Sequence, residues 1–247
     1  MWGGWIVGAL VLGSAGCGRL GFDDVAPAGD GGAGPDDSAA GDLVAWLTFD
    51  DPPGDGALDS SGNGHDGVCL DGCPGSIAGP VAGAYAFDAG ALISLPASLA
   101  FALTDGFTVA AWVRFDQLDL PVTCPFGKSL DNVDRNPWQL CVRDDRRLLA
   151  CVNHGAGNDC RTQTPEVALG TWTHLAMSYD GTRVRVFVGA DERGGFDTTI
   201  ADAEARILIG GDLDVGVPYG SLRGAIDDFR LWSRALAATE LAALPGL

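Results

Sequence analysis

Residues 43–67 read LVAWLTFDDPPGDGALDSSGNGHDG, and residues 224–241, near the other end of the chain, read GAIDDFRLWSRALAATEL. Each segment contains a short run in which apolar residues alternate with polar or small ones, which is typical of a strand with one buried face. The first segment continues into Gly, Asp, Ser and Asn, which favour a turn. Together the two segments predict the two ends of one β-sandwich.

The chain between these segments carries the same short alternating runs, separated by Gly, Asp, Asn and Pro. The predicted strands are 107–115, 138–142, 148–152, 172–179, 183–188 and 207–209. The apolar residues of the first run share one face, and so do those of the fifth, so we expect these faces to meet in a core. Helical periodicity is confined to residues 235–244, where Ser233 is the predicted N-cap. The fold class is therefore all-β, an antiparallel sandwich with a short C-terminal helix.

Composition limits the possible partners of the chain. The 247 residues are 47% hydrophobic, which is sufficient for one large packed domain. Thirty-three acidic residues against 15 basic ones give a net charge of -18. Because the basic residues do not cluster, nucleic acid and anionic membrane surfaces would be repelled.

Residues 1–17, MWGGWIVGALVLGSAGC, resemble a bacterial lipoprotein signal peptide, which implies lipid on Cys17. A plain secretory signal is the alternative, and the apolar run is shorter than the roughly 20 residues of a membrane-spanning helix. Residues 18–42 are rich in Gly, Ala, Pro and Asp and are predicted to be a disordered acidic tether. The folded domain is expected to cover residues 43–247.

The cysteines agree with export. Removing Cys17 from the seven cysteines leaves six, which predicts three disulfides in an oxidising compartment. A zinc site is the alternative, although no CxxC pair is present. Close spacing favours the pairs Cys69–Cys73 and Cys151–Cys160, which leaves Cys124–Cys141.

Seven segments in order give the chain a family resemblance: LVAWLTFD, DSSGNGHDG, AYAFDAGALISLP, FTVAAWVRF, FGKS, WTHLAMSYDGTRVRVFVG and GAIDDFRLWSRAL. Residues 43–244 therefore resemble the laminin G-like branch of the concanavalin A-like lectin and glucanase superfamily. The resemblance implies a jelly roll of two antiparallel sheets, in which the first and last strands are neighbours. It does not imply one function, because this scaffold carries lectins, adhesins, hydrolases and spacer modules.

The resemblance also implies a structural calcium ion near the turn after the first strand. The oxygen ligands that fit are Asp50, Asn63, Asp66, the backbone near His65, and Asp227 from the other end of the chain. The alternative is that DSSGNGHDG is only a turn, in which Asn63 and the glycines supply positive φ and Asp59 accepts backbone amides.

No catalytic residues are predicted. The two closest of the four glutamates, Glu192 and Glu204, are 12 positions apart, so the paired carboxylates of a glucanase are missing. Asp227 and its neighbour Asp228 should point to opposite faces of a strand. There is no GxSxG motif, and His174, within a strand, is expected to be structural.

A glycan site would need polar side chains beside an aromatic ring. The densest polar segment is CVNHGAGNDC, residues 151–160, and Trp138 and Tyr219 are candidates for stacking on a sugar. Its polar ligand candidates are Asn153, His154, Asn158 and Asp159. The alternative for Trp138 is a place in the core.

These observations predict an exported, lipid-anchored or secreted protein of the cell envelope, such as an outer-membrane lipoprotein. We expect a monomer that binds carbohydrate or a surface protein without catalysis. The alternatives are a divergent glycoside hydrolase or lyase, and a structural display module without a small-molecule ligand.

Overall fold

The computed structural model describes residues 42–54, 56–88, 90–244 and 246. The predicted signal peptide, Cys17 and nearly all of the tether lie outside these residues. Within the described ranges, no helix has the length and apolar character needed to cross a membrane.

Short strands make up most of the described chain, as the alternating runs predict. In chain order they are β1 Leu43–Leu47, β2 Gly56–Ala57, β3 Gly67–Leu70, β4 Gly75–Ala78, β5 Gly83–Phe87, β6 Leu92–Leu95, β7 Phe107–Gln117, β8 Val122–Ser129, β9 Trp138–Arg143, β10 Arg147–Asn153, β11 Asn158–Glu166, β12 Trp172–Tyr179, β13 Arg183–Val188, β14 Asp191–Asp197, β15 Arg206–Ile209, β16 Asp212–Asp214, β17 Val217–Tyr219 and β18 Arg223–Trp232. A 3-10 turn covers Leu99–Phe101 and one short helix, α1, covers Ala238–Leu241.

The strands form two large antiparallel sheets. One has the order β14-β13-β12-β7-β18-β5-β4, with β1 also paired to β18, and the other has the order β11-β10-β9-β8-β15-β6-β3-β2. The remaining two strands, β16 and β17, form a separate hairpin. Leu47 of the first strand lies opposite Phe229 of the last, so the predicted neighbourhood of the first and last strands is confirmed.

The core lies between the inner faces of the two sheets. Phe107, Val109, Ala111, Val113 and Phe115 are all buried in it, which confirms the face predicted from their spacing. The inner face of β9 opposes them, and the ring of its first residue, Trp138, stacks on Phe107 with 5.1 Å between centroids.

All three predicted disulfides are present. Cys69–Cys73 closes the loop after β3, Cys124–Cys141 joins β8 to β9, and Cys151–Cys160 joins directly opposed residues of β10 and β11. Three disulfides in one domain indicate an exported protein, because thiols stay reduced in most cytosols.

The C-terminal helix is shorter than its sequence pattern suggests, and the predicted cap is wrong. Ser233 donates its Oγ and backbone N–H to the carbonyl of Asp42, at 3.3 and 2.9 Å, and so belongs to the end of β18. The helix begins after Ala237, whose N–H donates to the Glu240 carboxylate at 2.8 Å. One turn suffices because Leu241 reaches an apolar cluster on the outer face of the first sheet.

Candidate functional site

A polar cleft of about 360 Å³ opens at one end of the second sheet. Its walls are the loop that joins β8 to β9, residues 130–137, and the tight loop that joins β10 to β11, residues 154–157. The lining residues are Asp134, Arg135, Asn153, Gly155, Ala156 and Gly157. The volume lies within the range of small-molecule sites, roughly 300–1,000 Å³.

Hydrogen bonds fix the first wall of this cleft. The side chain of Asn136 is buried, and its Oδ1 accepts the N–H of Leu130 at 2.7 Å, which closes the loop. Asn158, at the start of β11, donates its Nδ2 to the carbonyl of Val133 at 2.9 Å. Two amide side chains therefore hold the exposed Asp134 and Arg135 in place.

The second wall is a hairpin held closed by a disulfide. Asn153 pairs with Asn158 where the strands end, two positions from the bonded Cys151 and Cys160. The N–H of Gly155 donates to Oδ1 of Asn153 at 2.7 Å. Gly155 and Gly157 have φ of 91° and 143°, values that favour glycine, so backbone rather than side chains forms much of this wall.

The predicted ligand residues of this segment occupy different places. Asn153 lines the cleft. Asn158 lies beneath it as a support, and its Oδ1 is buried without a hydrogen-bond partner among the described residues. His154 is exposed beside the cleft. Asp159 forms an ion pair with Arg161 at 2.9 Å and points along the strand.

The two predicted stacking residues are not part of this cleft. Trp138 is only 2% exposed, so the prediction that it stacks on a sugar is wrong and the core alternative holds. Its position is set by alternation with Leu140 on the inner face of β9. Tyr219 is 42% exposed but lines another cavity, of about 190 Å³, with Leu120 and Pro218.

Sequence reasoning missed Asp134 and Arg135. They lie in SLDNVDRNP, residues 129–137, a polar segment between two strands. The only signal available was this concentration of turn-forming residues. Which of them face the cleft depends on the anchoring of Asn136 and Asn158, and this anchoring comes from distant residues.

A second group of acidic residues lies where the first and last strands meet. Asp50 Oδ1 accepts the N–H of Gly83 at 2.7 Å, and Asp227 Oδ2 accepts the N–H of Val81 at 2.7 Å. Asp227 is 0% exposed, and its Oδ1 has no hydrogen-bond partner among the described residues. Burial, followed by the charges of Asp228 and Asp50, raises the pKa of Asp227 to about 7.

The backbone around these carboxylates is strained. Phe49, Ala82 and Asp228 have φ of 58°, 67° and 51°, in the left-handed region that side chains other than glycine rarely adopt. A Cβ at Gly79 would lie 2.5 Å from Asp227 Oδ2 and 2.6 Å from the carbonyl oxygen of Gly83. Such clustered strain is typical of sites with a function beyond packing.

The prediction that Asp227 and Asp228 point to opposite faces is wrong. A β-bulge interrupts the pairing of β18 with β7 between Asp227 and Arg230. Asp227 lies opposite Trp112, and Asp228 Oδ1 accepts the indole N–H of Trp46 at 2.6 Å. Since both tryptophans lie on the outer side of the first sheet, the bulge has placed both carboxylates there.

The remaining predicted calcium ligands make contacts that hold the turn after β1 in place. Asn63 donates its Nδ2 to the carbonyls of Leu43 and Val44, at 2.8 and 3.0 Å. Asp66 Oδ1 accepts the N–H of Asp59 at 2.8 Å, and the ring of His65 packs on Phe101 with 4.8 Å between centroids. Across the described residues, no group of three or more His, Cys, Asp or Glu side chains is arranged to hold a metal ion.

Asp59 organises this turn. Its carboxylate accepts the backbone N–H groups of Trp46, Ser61 and His65, at 2.9, 2.9 and 2.8 Å, as well as the hydroxyl of Ser61. Burial favours a higher pKa for Asp59, but these hydrogen bonds outweigh it and hold the pKa below its usual value. Gly62 and Gly64 have φ of 86° and 75°, so the turn alternative from the sequence holds for the glycines and for Asp59, but Asn63 does not have the positive φ that it predicted.

Three solved structures illustrate how the fold is shared. Domain 4 of AbnA, an extracellular arabinanase from Geobacillus stearothermophilus solved with arabinotriose, is 22% identical, with a TM-score of 0.64 over 83% of this chain and 98% of that domain. A Trypanosoma rangeli sialidase is 18% identical, with a TM-score of 0.66 over 90% of this chain. The binding domain of Paraclostridial Mosquitocidal Protein 1 is 16% identical, with a TM-score of 0.66 over 83% of this chain.

The coverage of these proteins differs. The matched region spans nearly all of the arabinanase domain, but 35% of the sialidase chain and 52% of the mosquitocidal protein chain. At these identities the likeness establishes the fold. None of the curated proteins compared with the chain is a significant match in sequence.

The family itself is established by the sequence of the domain. Residues 87–242, which are more than half of the chain and include β7 to β18, match the family model described as the concanavalin A-like lectin/glucanases superfamily. The two antiparallel sheets and the pairing of the first strand with the last agree with this match. The chain belongs to the concanavalin A-like lectin/glucanases superfamily.

Proposed function

We propose that this protein is an exported recognition module that binds carbohydrate, without catalysis, in the cleft between residues 130–137 and 154–157. The observation that carries the proposal is the cleft itself, whose lining combines a carboxylate, a guanidinium, an amide and glycine backbone. Groups of these kinds hydrogen-bond sugar hydroxyls. The rigid anchoring of both walls supports binding, because little entropy is lost when a ligand enters a site that is already formed.

The similar arabinanase domain was solved with arabinotriose, so this fold can present a sugar site. Two of the buried carboxylates, those of Asp212 and Asp228, bind neighbouring side chains. Asp212 Oδ2 accepts hydrogen bonds from the side-chain amides of Asn136 and Gln139. Asp228 Oδ1 accepts hydrogen bonds from the indole N–H of Trp46 and the guanidinium of Arg230. These carboxylates hold strands and loops together.

The proposal is tested by glycan-array binding of the full chain with its disulfides formed. We expect binding to be lost in A156W, which fills the cleft, and weakened in N153A, which removes one wall contact. S76A and S76W, on the exposed strand β4 of the other sheet, are the matched controls. If A156W and S76W bind alike, the cleft is not the site, and if no glycan binds, the proposal fails in favour of a protein partner or a display role.

We also propose a structural calcium ion between Asp50 and Asp227. The unpartnered Asp227 Oδ1, the elevated pKa of this carboxyl and three left-handed residues around it support this assignment. Asp50 and Asp227 would hold the ion together with neighbouring backbone carbonyls, since calcium prefers oxygen ligands. Bound calcium would neutralise charge where the first and last strands of the domain meet.

Attachment to the envelope through a lipid on Cys17 remains a proposal from the sequence. It is tested by the mass of the native protein, because a diacyl or triacyl group on Cys17 adds a defined mass. An intact bond between Gly16 and Cys17 would exclude the anchor.

A further inference from the structure

Arg135 differs from every other basic side chain in the described part of the chain. Each of the others lies within 4.0 Å of an Asp or Glu oxygen, from the buried pair of Lys128 and Asp202 to the exposed pair of Arg183 and Asp197. Within the same residues, Arg135 has no such partner. The chain has more than twice as many acidic as basic residues, so an unpaired guanidinium stands out.

The position of Arg135 is well defined although its side chain is exposed. Its N–H donates to the carbonyl of Asn132 at 2.9 Å, and the N–H of Asp134 donates to Oδ1 of Asn132 at 3.1 Å. The opposite wall is tied to this loop, because the N–H of Asn153 donates to the carbonyl of Pro137 at 3.1 Å. The backbone therefore holds Arg135 beside the cleft, and its exposed guanidinium is available to a ligand.

A guanidinium binds carboxylates through two parallel hydrogen bonds, which a neutral sugar cannot offer. We propose that Arg135 makes this cleft selective for an acidic sugar, whose carboxylate it binds while Asn153 and Asp134 bind hydroxyls. This inference rests on the proposed carbohydrate function of the same cleft. Phosphate and sulfate groups also bind Arg, but the nearby carboxylate of Asp134 and the net charge of -18 oppose ligands of high charge density.

The experiment compares two probes that differ by one charge, galacturonic acid and its methyl ester, by calorimetric titration of the full chain at about 0.15 M salt, where long-range charge effects are screened. Esterification removes the charge and leaves the ring and its hydroxyls. We expect the acid to bind about ten- to one-hundredfold more tightly, the range expected for a charge-assisted hydrogen bond. R135A should abolish this preference. R135K should retain part of it, because lysine keeps the positive charge but cannot form the two parallel hydrogen bonds of a guanidinium.

R193A is the matched control, since Arg193 lies on the edge strand β14 of the other sheet and its loss changes the net charge equally. Preference for the acid that survives in R135A would overturn the inference. Equal binding of acid and ester by the unaltered protein would also overturn it, but would leave the carbohydrate function intact. Absence of binding to both probes and to the glycan array would remove both proposals together.

Discussion

Asp50 and Asp227 each accept one backbone N–H where the turn between β4 and β5 meets β5, that of Gly83, the first residue of β5, for Asp50 and that of Val81, in the turn, for Asp227, both at 2.7 Å. One carboxylate follows the first strand and the other lies in the last, so this turn brings the two ends of the domain together. The proposed calcium ion would stabilise this junction.

Calcium is therefore expected to raise the melting temperature of the protein. With the ion at about one hundred times its Kd, the gain is about 2.7 kcal/mol, or roughly 5–10 °C for a domain of this size. The measurement is thermal unfolding in calcium and in chelator. D50N and D227N should lose the response and the exposed control D144N should keep it, whereas an equal response in D227N would contradict the site.

The buried His174 should make the protein less stable in mild acid. It is 3% exposed and lies edge-on to Trp112, and burial, with the nearby charge of Arg230, lowers its pKa to about 4. The unfolded chain takes up this proton near pH 6.5 and the folded protein does not, so stability is lost as pH falls from about 6.5 to 4. The loss is on the order of 3 kcal/mol.

Urea unfolding at pH 7 and at pH 4.5 measures this effect. H174Q cannot be protonated and should show a smaller difference between the two values of pH. The exposed control H154Q should retain the full difference, and a pH response in H174Q equal to that of the unaltered protein would assign the effect to other groups.

Loss of the Asp59 carboxylate should destabilise the turn after β1. It accepts three backbone N–H groups and one hydroxyl, so D59A leaves several donors unpaired and is expected to cost roughly 2–4 kcal/mol. D59N keeps one acceptor oxygen, so its free energy of unfolding should lie between those of D59A and the unaltered protein. The measurement is urea unfolding, and the control is D51N, which changes an exposed residue nearby. If D59A unfolded at the same urea concentration as D51N, the turn would not depend on the Asp59 carboxylate.

Replacement of Val215 should stabilise the β16–β17 hairpin. Val215 and Gly216 form its two-residue turn with φ of 52° and 77°, and Val215 is 83% exposed. This geometry favours Asn-Gly, whereas a β-branched residue is strained there. We expect V215N to raise the free energy of unfolding by about 0.5–1 kcal/mol. V217N replaces a similarly exposed valine but leaves the backbone strain at Val215 unchanged. An equal gain in the free energy of unfolding in V217N would therefore argue against strain at Val215 as the cause.

Local pattern was sufficient for several of the longer strands. Strands β12 and β13 have the bounds predicted from alternation, and β7 extends only two residues beyond its predicted end. The alternation of apolar with polar or small residues belongs to each strand alone, so it can be recognised without knowing the partner strand. The disulfides were also predictable, because two of the three pairs are close in sequence and the third follows from them.

The site depended on contacts that no local pattern reveals. Trp138 has the sequence context of both a core residue and a sugar platform, and only packing against Phe107 decides between them. The bulge at Asp228 reverses the expected direction of a carboxylate, because the extra residue shifts the pairing of two strands. Arg135 stands out only after every other basic residue of the described chain has found a partner in space.

The sequence by itself determined the all-β class, the inner faces of β7 and β13 and the meeting of the first and last strands, since these follow from residue periodicity and an ordered set of family segments. The tertiary structure alone decided which polar residues form the cleft and which carboxylates lie together. The physical reason is that hydrogen bonds between distant loops, such as that from Asn158 to Val133, position these groups, and their energies depend on the assembled fold.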